Sequence, residues 1–223
     1  MPDYPIQQLL DDLACALTPD DFDRAAAQTH TAFDALNAAH IARKNLHLDC
    51  RAGCSLCCSL RVDVFAHEIF PIVHHLRRHF SPEENARVSA RLTAHAEKVR
   101  PLTPFEHATQ NIPCPLLENG RCSIYPVRPQ SCRRHHSQDL AACQYTYDHP
   151  TDLETPAAHD RELFRTLTAA LRENIETYAQ LGYDHTFYEL GTALHEALTD
   201  PACEPRWRDH GPAFLHASVT PAE

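Results

Sequence analysis

Cysteine is the residue type in this chain with the clearest capacity for chemistry, and most of it lies in two clusters. The chain has ten cysteines, and four of them fall within nine residues: Cys50, Cys54, Cys57 and Cys58. A second group of four follows in a proline-rich segment: Cys114, Cys122, Cys132 and Cys143. Thiolates are soft ligands that suit zinc, iron–sulfur clusters or cuprous copper. We predict that all eight are metal ligands.

The alternative for the first cluster is packing in a hydrophobic core. On a helix its four cysteines would share an arc of about 100°, as a buried apolar stripe does, and free cysteine behaves as a small hydrophobe. The residues between them include Arg51, Gly53 and Ser55, which make poor core. Metal ligation is therefore favoured. Because Cys57 and Cys58 are adjacent, we expect them to point apart and to serve different metals, or one of them to lie behind the ligands.

The bulk composition restricts the class of protein. The 223 residues carry a net charge of −10, which argues against a binder of nucleic acid or of anionic membranes because no basic stripe is present. The sequence has no run of about 18 apolar residues, so we expect no membrane span. Its first residues lack the basic region of a signal peptide. We expect a cytoplasmic protein, with thiols kept reduced.

Helices account for most of the remaining pattern, and proline repeatedly occupies the first helical position. Capping sequences at residues 18–21, 81–84, 103–106 and 155–158 predict helices over about 19–47, 82–99, 104–110 and 156–180. Gly182 is expected to end the last of these. A helix interrupted or started by Pro71 and one over about 185–198 complete the set.

The predicted fold class is mainly α: a helical single domain around a cysteine-rich metal-binding loop core, with at most a short two-stranded β element. Residues 60–65 alternate like a short strand, and residues 61–64 of this stretch could pair with residues 122–125, with a turn at Asn119-Gly120. We divide the chain into an N-terminal helical segment (1–47), the cysteine-cluster core (48–145), C-terminal helices packing on it (146–200) and a loosely ordered tail (201–223).

The two clusters together resemble the YkgJ-type cysteine-cluster family, which carries a zinc- or iron-chelating CxxCxxCC domain. The resemblance covers about residues 48–145 and rests on "CRAGCSLCC", "CPLLENGRCSIYPVRPQSCR" and a last cysteine, Cys143. One departure is the three-residue gap between Cys50 and Cys54, where the domain name has two. The resemblance implies metal binding, with Cys132 among the ligands. It also implies that Glu68, Tyr125 and Arg128, which match other positions of the family pattern, lie beside the ligands.

The identity of the metal stays open between zinc and iron, the iron as an ion or as a [4Fe–4S] cluster, since cysteine tetrahedra accept both. Eight thiolates outweigh the charge of two zinc ions, so nearby guanidinium groups are expected to offset the excess: Arg121, Arg128, Arg133 and Arg134. His75, His79, His135 and His136 are further candidate ligands. Outside the clusters, Cys15 is expected to pack in the core and Cys203 to be exposed.

Three functions fit these observations. The leading hypothesis is a cytoplasmic metal-binding protein that holds zinc or iron for structure or for metal handling. The alternative is an enzyme that depends on iron or a [4Fe–4S] cluster, in redox or methyl-transfer chemistry, as a related cysteine cluster in flagellin lysine-N-methylases suggests. The C-x3-C-x2-C spacing also resembles radical S-adenosylmethionine enzymes, but the chain lacks their strand–helix alternation. A thiol redox sensor is the third, favoured by vicinal Cys57 and Cys58.

Overall fold

The computed structural model describes residues 6–51, 53–155 and 158–221. Ten α-helices lie in these ranges, and the strands are short. The helices are α1 (Ile6–Ala14), α2 (Pro19–Lys44), α3 (Ala66–His79), α4 (Pro82–Val99), α5 (Pro104–Ala108), α6 (Gln130–Arg134), α7 (Leu140–Asp148), α8 (Arg161–Gln180), α9 (Leu190–Thr199) and α10 (Cys203–Arg208). The predicted mainly α class is confirmed. No described helix combines the length and apolar character that crossing a membrane requires.

Five strands form two small antiparallel sheets: β1 (Asp63–Val64), β2 (Leu117–Glu118), β3 (Arg121–Cys122), β4 (Phe187–Glu189) and β5 (Val219–Thr220). The central strand β4 pairs with β1, with Asp63 opposite Glu189, and with β5. The predicted pairing of residues 61–64 with 122–125 is wrong, because β3 pairs with β2 in a hairpin and β1 pairs with β4. Asn119 and Gly120 close that hairpin with positive φ angles, as the predicted turn requires.

The proline-bearing caps predict helix starts well where the cap has no competing partner. α2, α4 and α5 begin at Pro19, Pro82 and Pro104. The start predicted near residue 156 is wrong: α8 begins at Arg161, where the Asp160 carboxylate accepts a hydrogen bond from the backbone N–H of Leu163 at 2.7 Å. The hydroxyl of Thr155 instead donates to Asp152 in a local turn, and residues 156 and 157 lie outside the described ranges.

Other helix predictions need smaller corrections. Gly182, with a φ of 84°, follows the end of α8 as predicted. α3 runs through Pro71 and neither starts nor breaks there, at the cost of one backbone hydrogen bond. The helix predicted over 185–198 begins only at Leu190, because residues 187–189 form the centre of the three-stranded sheet.

The main core joins α3, α4 and α9 with the C-terminal segment. Phe70, Tyr183 and Trp207 pack together there, with Trp207 only 1% exposed. The predicted loosely held tail from residue 201 is therefore a wrong expectation, since α10 and β5 both pack on the rest of the fold. A second apolar cluster, containing Phe33 and Leu167, joins α2 to α8.

Candidate metal centre

The two cysteine-bearing segments meet through backbone hydrogen bonds. The N–H of Cys114 donates to the carbonyl of Cys58 at 2.7 Å, which ties the first cluster to the second. The N–H of Asp49 donates to the carbonyl of Ser137 at 3.0 Å. The Asp49 carboxylate accepts from the N–H of Leu140, at the start of the helix that carries Cys143. These bonds hold segments more than fifty residues apart side by side.

The eight thiols fall into two neighbouring groups by their electrostatic interactions. Cys50 interacts with Cys54 and with Cys143; we call these three the Cys50 group. The Cys114 group contains four residues, all linked by mutual interactions: Cys58, Cys114, Cys122 and Cys132. Cys57 interacts with Cys58, Cys132 and Cys50, and so lies between the groups. Cys50 and Cys54 lie outside any helix, and Cys57 and Cys58 belong to the 3₁₀ helix Leu56–Ser59.

Cys57 and Cys58 do not point apart as predicted. Their side chains are joined by a hydrogen bond, because the tight 3₁₀ turn keeps neighbouring thiols within reach. That bond raises the pKa of Cys57, together with burial, and lowers the pKa of Cys58 to about 7. Cys58 therefore reaches the thiolate form, which binds metals, close to neutral pH.

Burial keeps several of the other thiols protonated. It raises the pKa of Cys114 to about 12 and also raises the pKa values of Cys122 and Cys132. Thiol protons must therefore leave when a metal binds, which makes metal affinity depend on pH. Among the described residues, two sets of three ligand atoms lie within 4.8 Å of one another, and neither contains any of the eight clustered sulfurs. A zinc tetrahedron, with bonds of about 2.3 Å, requires sulfurs about 3.8 Å apart, so a four-thiolate site requires these thiols to lie closer together than they do here.

Glu68 links the start of α3 to the helix that carries Cys132. Its carboxylate accepts hydrogen bonds from the backbone N–H groups of Phe65, at 3.1 Å, and of Gln130, at 2.8 Å. Glu68 is 3% exposed, and burial raises its pKa to about 7 against the effect of these bonds. It interacts electrostatically with Cys132. Glu68 is therefore both a helix cap and a brace for the Cys132 helix.

The arginines of this region have separate tasks. The Arg128 guanidinium lies 3.8 Å from the ring centre of Tyr125, which is itself 61% exposed, and donates to the Tyr125 carbonyl at 3.0 Å. It lowers the pKa of Cys122, although burial has the larger, opposite effect. Arg133 donates to the Arg128 carbonyl at 2.9 Å and to Asp34 on α2. It holds the loop before Cys132.

Two of the predicted charge-offsetting arginines are directed elsewhere. Arg134 donates to the hydroxyl of Thr168 at 2.9 Å and lies over the ring of Phe164, both on α8. Arg121 is exposed. Among these four arginines, Arg128 is the one whose guanidinium acts on the pKa of a clustered thiol, that of Cys122. Arg134 also interacts electrostatically with the Glu68 carboxylate, so the expectation that it helps to offset the thiolates stays a prediction.

The candidate histidine ligands also have other contacts in the structure. Nδ1 of His136 donates to the Arg134 carbonyl at 2.9 Å, and its Nε2 accepts from the Asp160 N–H at 3.1 Å. Both ring nitrogens are thus engaged in holding the chain between α6 and α8. His75 and His79 contact each other with ring centres 4.6 Å apart in the last turns of α3.

The exposure of the two cysteines outside the clusters is the opposite of what we expected. Cys15 is exposed, because it follows the last residue of α1. Cys203 is 1% exposed at the start of α10, where its thiol donates to Asp200 at 3.5 Å. The local sequence around each residue gave no information on which end of the chain would pack on the core.

Two features near the thiols were missed by sequence reasoning. A cleft of about 340 Å³ opens beside Cys54, between Arg51 and Gln144. A buried cluster of His95, His107 and Glu189 lies in the interior. No spacing rule joins His95 to Glu189 across 94 residues, so local pattern could not reveal this cluster.

Comparison with known proteins identifies the middle of the chain. Residues 49–155 match the model of the CxxCxxCC family, described as a "Putative zinc- or iron-chelating domain". All eight clustered cysteines lie within the matched residues. No curated protein and no solved structure matches the chain.

Proposed function

Because residues 49–155 form a domain of the CxxCxxCC family, we propose that this is a cytoplasmic metal-binding protein whose eight clustered cysteines hold zinc or iron. The observation that carries the proposal is the meeting of the two cysteine segments, sealed by the 2.7 Å bond from the Cys114 N–H to the Cys58 carbonyl. All ten cysteines, each within the described ranges, are free thiols. This agrees with a reducing compartment.

The grouping of the thiols favours two adjacent ions. Cys57 joins the Cys50 group as its fourth ligand, and the Cys114 group supplies four ligands of its own. Each ion then has the four thiolates that a closed zinc site or a [4Fe–4S] cluster uses. In this proposal Cys57 and Cys58, whose side chains interact, bind different ions, so the two sites are neighbours.

The two sites differ in their access to solvent, and this divides their roles. Cys50 is exposed and Cys54 borders the cleft, whereas the Cys114 group is held by the buried Glu68 and Arg133. A site enclosed by fixed neighbours suits a structural ion, and an open site suits exchange. We assign structural binding to the Cys114 group and metal handling to the Cys50 group.

The test is elemental analysis and a visible spectrum of protein purified without oxygen. A colourless protein with two zinc ions supports zinc binding, and broad visible absorption with iron and sulfide supports a cluster. Replacing Cys57, Cys58 and Cys132 singly by serine should lower the metal content each time. The exposed Cys15→Ser is the matched control. Unchanged metal content in all three variants would refute the proposal.

The cleft beside Cys54 favours one second candidate, an iron-dependent enzyme for redox or methyl-transfer chemistry. Its volume of about 340 Å³ admits a small molecule, and Arg51 and Gln144 supply polar contacts. Such an enzyme needs an iron with an open coordination position. Nitric oxide added to the iron-loaded protein distinguishes the two: a changed electron paramagnetic resonance spectrum supports the enzyme, and an unchanged spectrum supports the closed site.

A further inference from the structure

Three metal-ligating side chains meet in the interior, outside the cysteine clusters. His95 lies on α4, His107 on α5, and Glu189 at the residue preceding α9. One ligand atom of each lies within 4.8 Å of the other two. The three residues are 8%, 1% and 3% exposed, so water competes little for their donor atoms. Two imidazoles and one carboxylate make up a donor set that binds zinc or iron(II) with coordination positions left open.

We propose that His95, His107 and Glu189 bind a divalent cation of the zinc or iron(II) class, in a site separate from the thiolates. Nε2 of His95 lies 3.0 Å from Oε1 of Glu189. Two ligands of a tetrahedral ion with bonds of about 2.0–2.2 Å lie about 3.4 Å apart. A cation therefore replaces the shared proton of this pair with a movement of a few tenths of an ångström, and His107 closes the third side.

The carboxylate is fixed in the charged form that a cation needs. Oε1 of Glu189 accepts from the N–H of Gly191 at 3.0 Å, and Oε2 accepts from the N–H of Thr192 at 2.7 Å. Burial alone would raise the pKa of Glu189, but its bonds to His95 and to these N–H groups lower it to about 2. The carboxylate is thus held ionised and pointed at His95.

Gly191 provides the space for the His95 ring. A Cβ atom at this position would lie 2.3 Å from Cδ2 of His95 and 2.5 Å from its Nε2. The glycine therefore permits the imidazole to approach the start of α9 closely.

Arg61 works against the cation and so provides a sharp test. Its guanidinium lies 3.3 Å from Nδ1 of His107 and, as a donor, holds the proton of the neutral ring on Nε2. A divalent cation held by His107 adds positive charge beside this guanidinium, and Arg61 is already bonded to Asp63 at 2.9 Å. Replacing Arg61 by the uncharged methionine should therefore increase cation affinity.

The experiment is a Co²⁺ titration of the full chain followed by absorption. Thiolate-bound cobalt has intense near-ultraviolet charge-transfer bands, whereas cobalt bound to histidine and carboxylate shows weak visible bands alone. The wild-type protein should bind one equivalent of Co²⁺ in addition to the equivalents that increase the thiolate charge-transfer bands. His107→Gln and Glu189→Gln should lose this equivalent, with charge transfer unchanged. Arg61→Met should bind it roughly tenfold more tightly, and the exposed His149→Gln is the control.

Two results would overturn the proposal. One is a wild-type titration in which every bound equivalent adds to the charge-transfer bands. The other is an unchanged cobalt stoichiometry in His107→Gln. Retained charge transfer and an unchanged circular dichroism spectrum establish that a variant is folded. If Glu189→Gln fails that criterion, because it caps α9, the His107→Gln result decides. If the cysteine variants lose metal binding at the thiolates, cobalt binding at His95, His107 and Glu189 can still be measured. The two proposals can therefore fail independently.

Discussion

His74 makes the stability of the fold depend on pH. It lies between two carboxylates, with Nδ1 2.8 Å from Asp23 and Nε2 3.0 Å from Glu204, and its side chain is 9% exposed. Arg78 also bonds to Asp23, on its other oxygen. The two hydrogen bonds that His74 donates to these carboxylates raise its pKa from 6.5 to about 9. The protonated imidazole therefore joins α3 to both α2 and α10.

The size of the effect follows from the shift in pKa. A folded-state pKa of about 9 against an unfolded value of 6.5 corresponds to about 3 kcal/mol of free energy of unfolding. Because the pKa is raised on folding, this contribution is complete below pH 6.5 and is lost as the pH rises through about 9. His74→Gln keeps a hydrogen-bond donor but removes the charge.

Urea unfolding of wild type and His74→Gln, followed by circular dichroism at pH 6 and at pH 10, measures this contribution. The variant should be about 3 kcal/mol less stable at pH 6 and nearly equal to wild type at pH 10. Comparing the two proteins at each pH cancels the titration of the thiols. A difference that stays constant between the two pH values would refute the assignment of the charge to His74.

Three further predictions concern packing and the surroundings of the thiols. Gly191→Ala should lower the free energy of unfolding by about 1–3 kcal/mol in urea, because its Cβ would overlap His95; an unchanged value would contradict the close approach. Trp207→Ala should lower it by about 3–5 kcal/mol if the C-terminal segment packs as described, and a loss under 1 kcal/mol would mean a loose tail. Arg133→Met should weaken metal binding roughly tenfold in a chelator competition without removing a ligand, whereas Arg165→Met, at an exposed position of α8, should not.

Local sequence predicted those elements whose ends are set by neighbouring residues. The caps before Pro19, Pro82 and Pro104 predict the starts of three helices. The Asn119-Gly120 dipeptide predicts the turn, and both residues have the positive φ angles that the turn requires. The same reasoning failed at Thr155, because the carboxylate of Asp152 competes for its hydroxyl and N–H groups. A capping sequence thus predicts a helix start only where no nearby acceptor offers an alternative.

Features that depend on distant segments were outside the reach of the sequence. The pairing of β1 with β4 joins residues more than a hundred positions apart, and it displaced the predicted pairing with residues 122–125. The burial of Cys203 and Trp207 depends on contacts with α1 to α3 that no local pattern records. For the candidate metal centre, the two cysteine clusters and the family resemblance identified the segments that meet. The Cys57–Cys58 hydrogen bond and the His95–Glu189 pair required the structure.

Differential alkylation with mass spectrometry tests the central claim most directly. The metal-loaded protein is treated with a thiol reagent before and after chelation, and the labelled cysteines are identified. With metal bound, Cys15 should react while the eight clustered cysteines are protected, and chelation should expose those eight together. Labelling of the eight at the same rate with and without metal would contradict the account, because thiols that hold a metal cannot react as free groups.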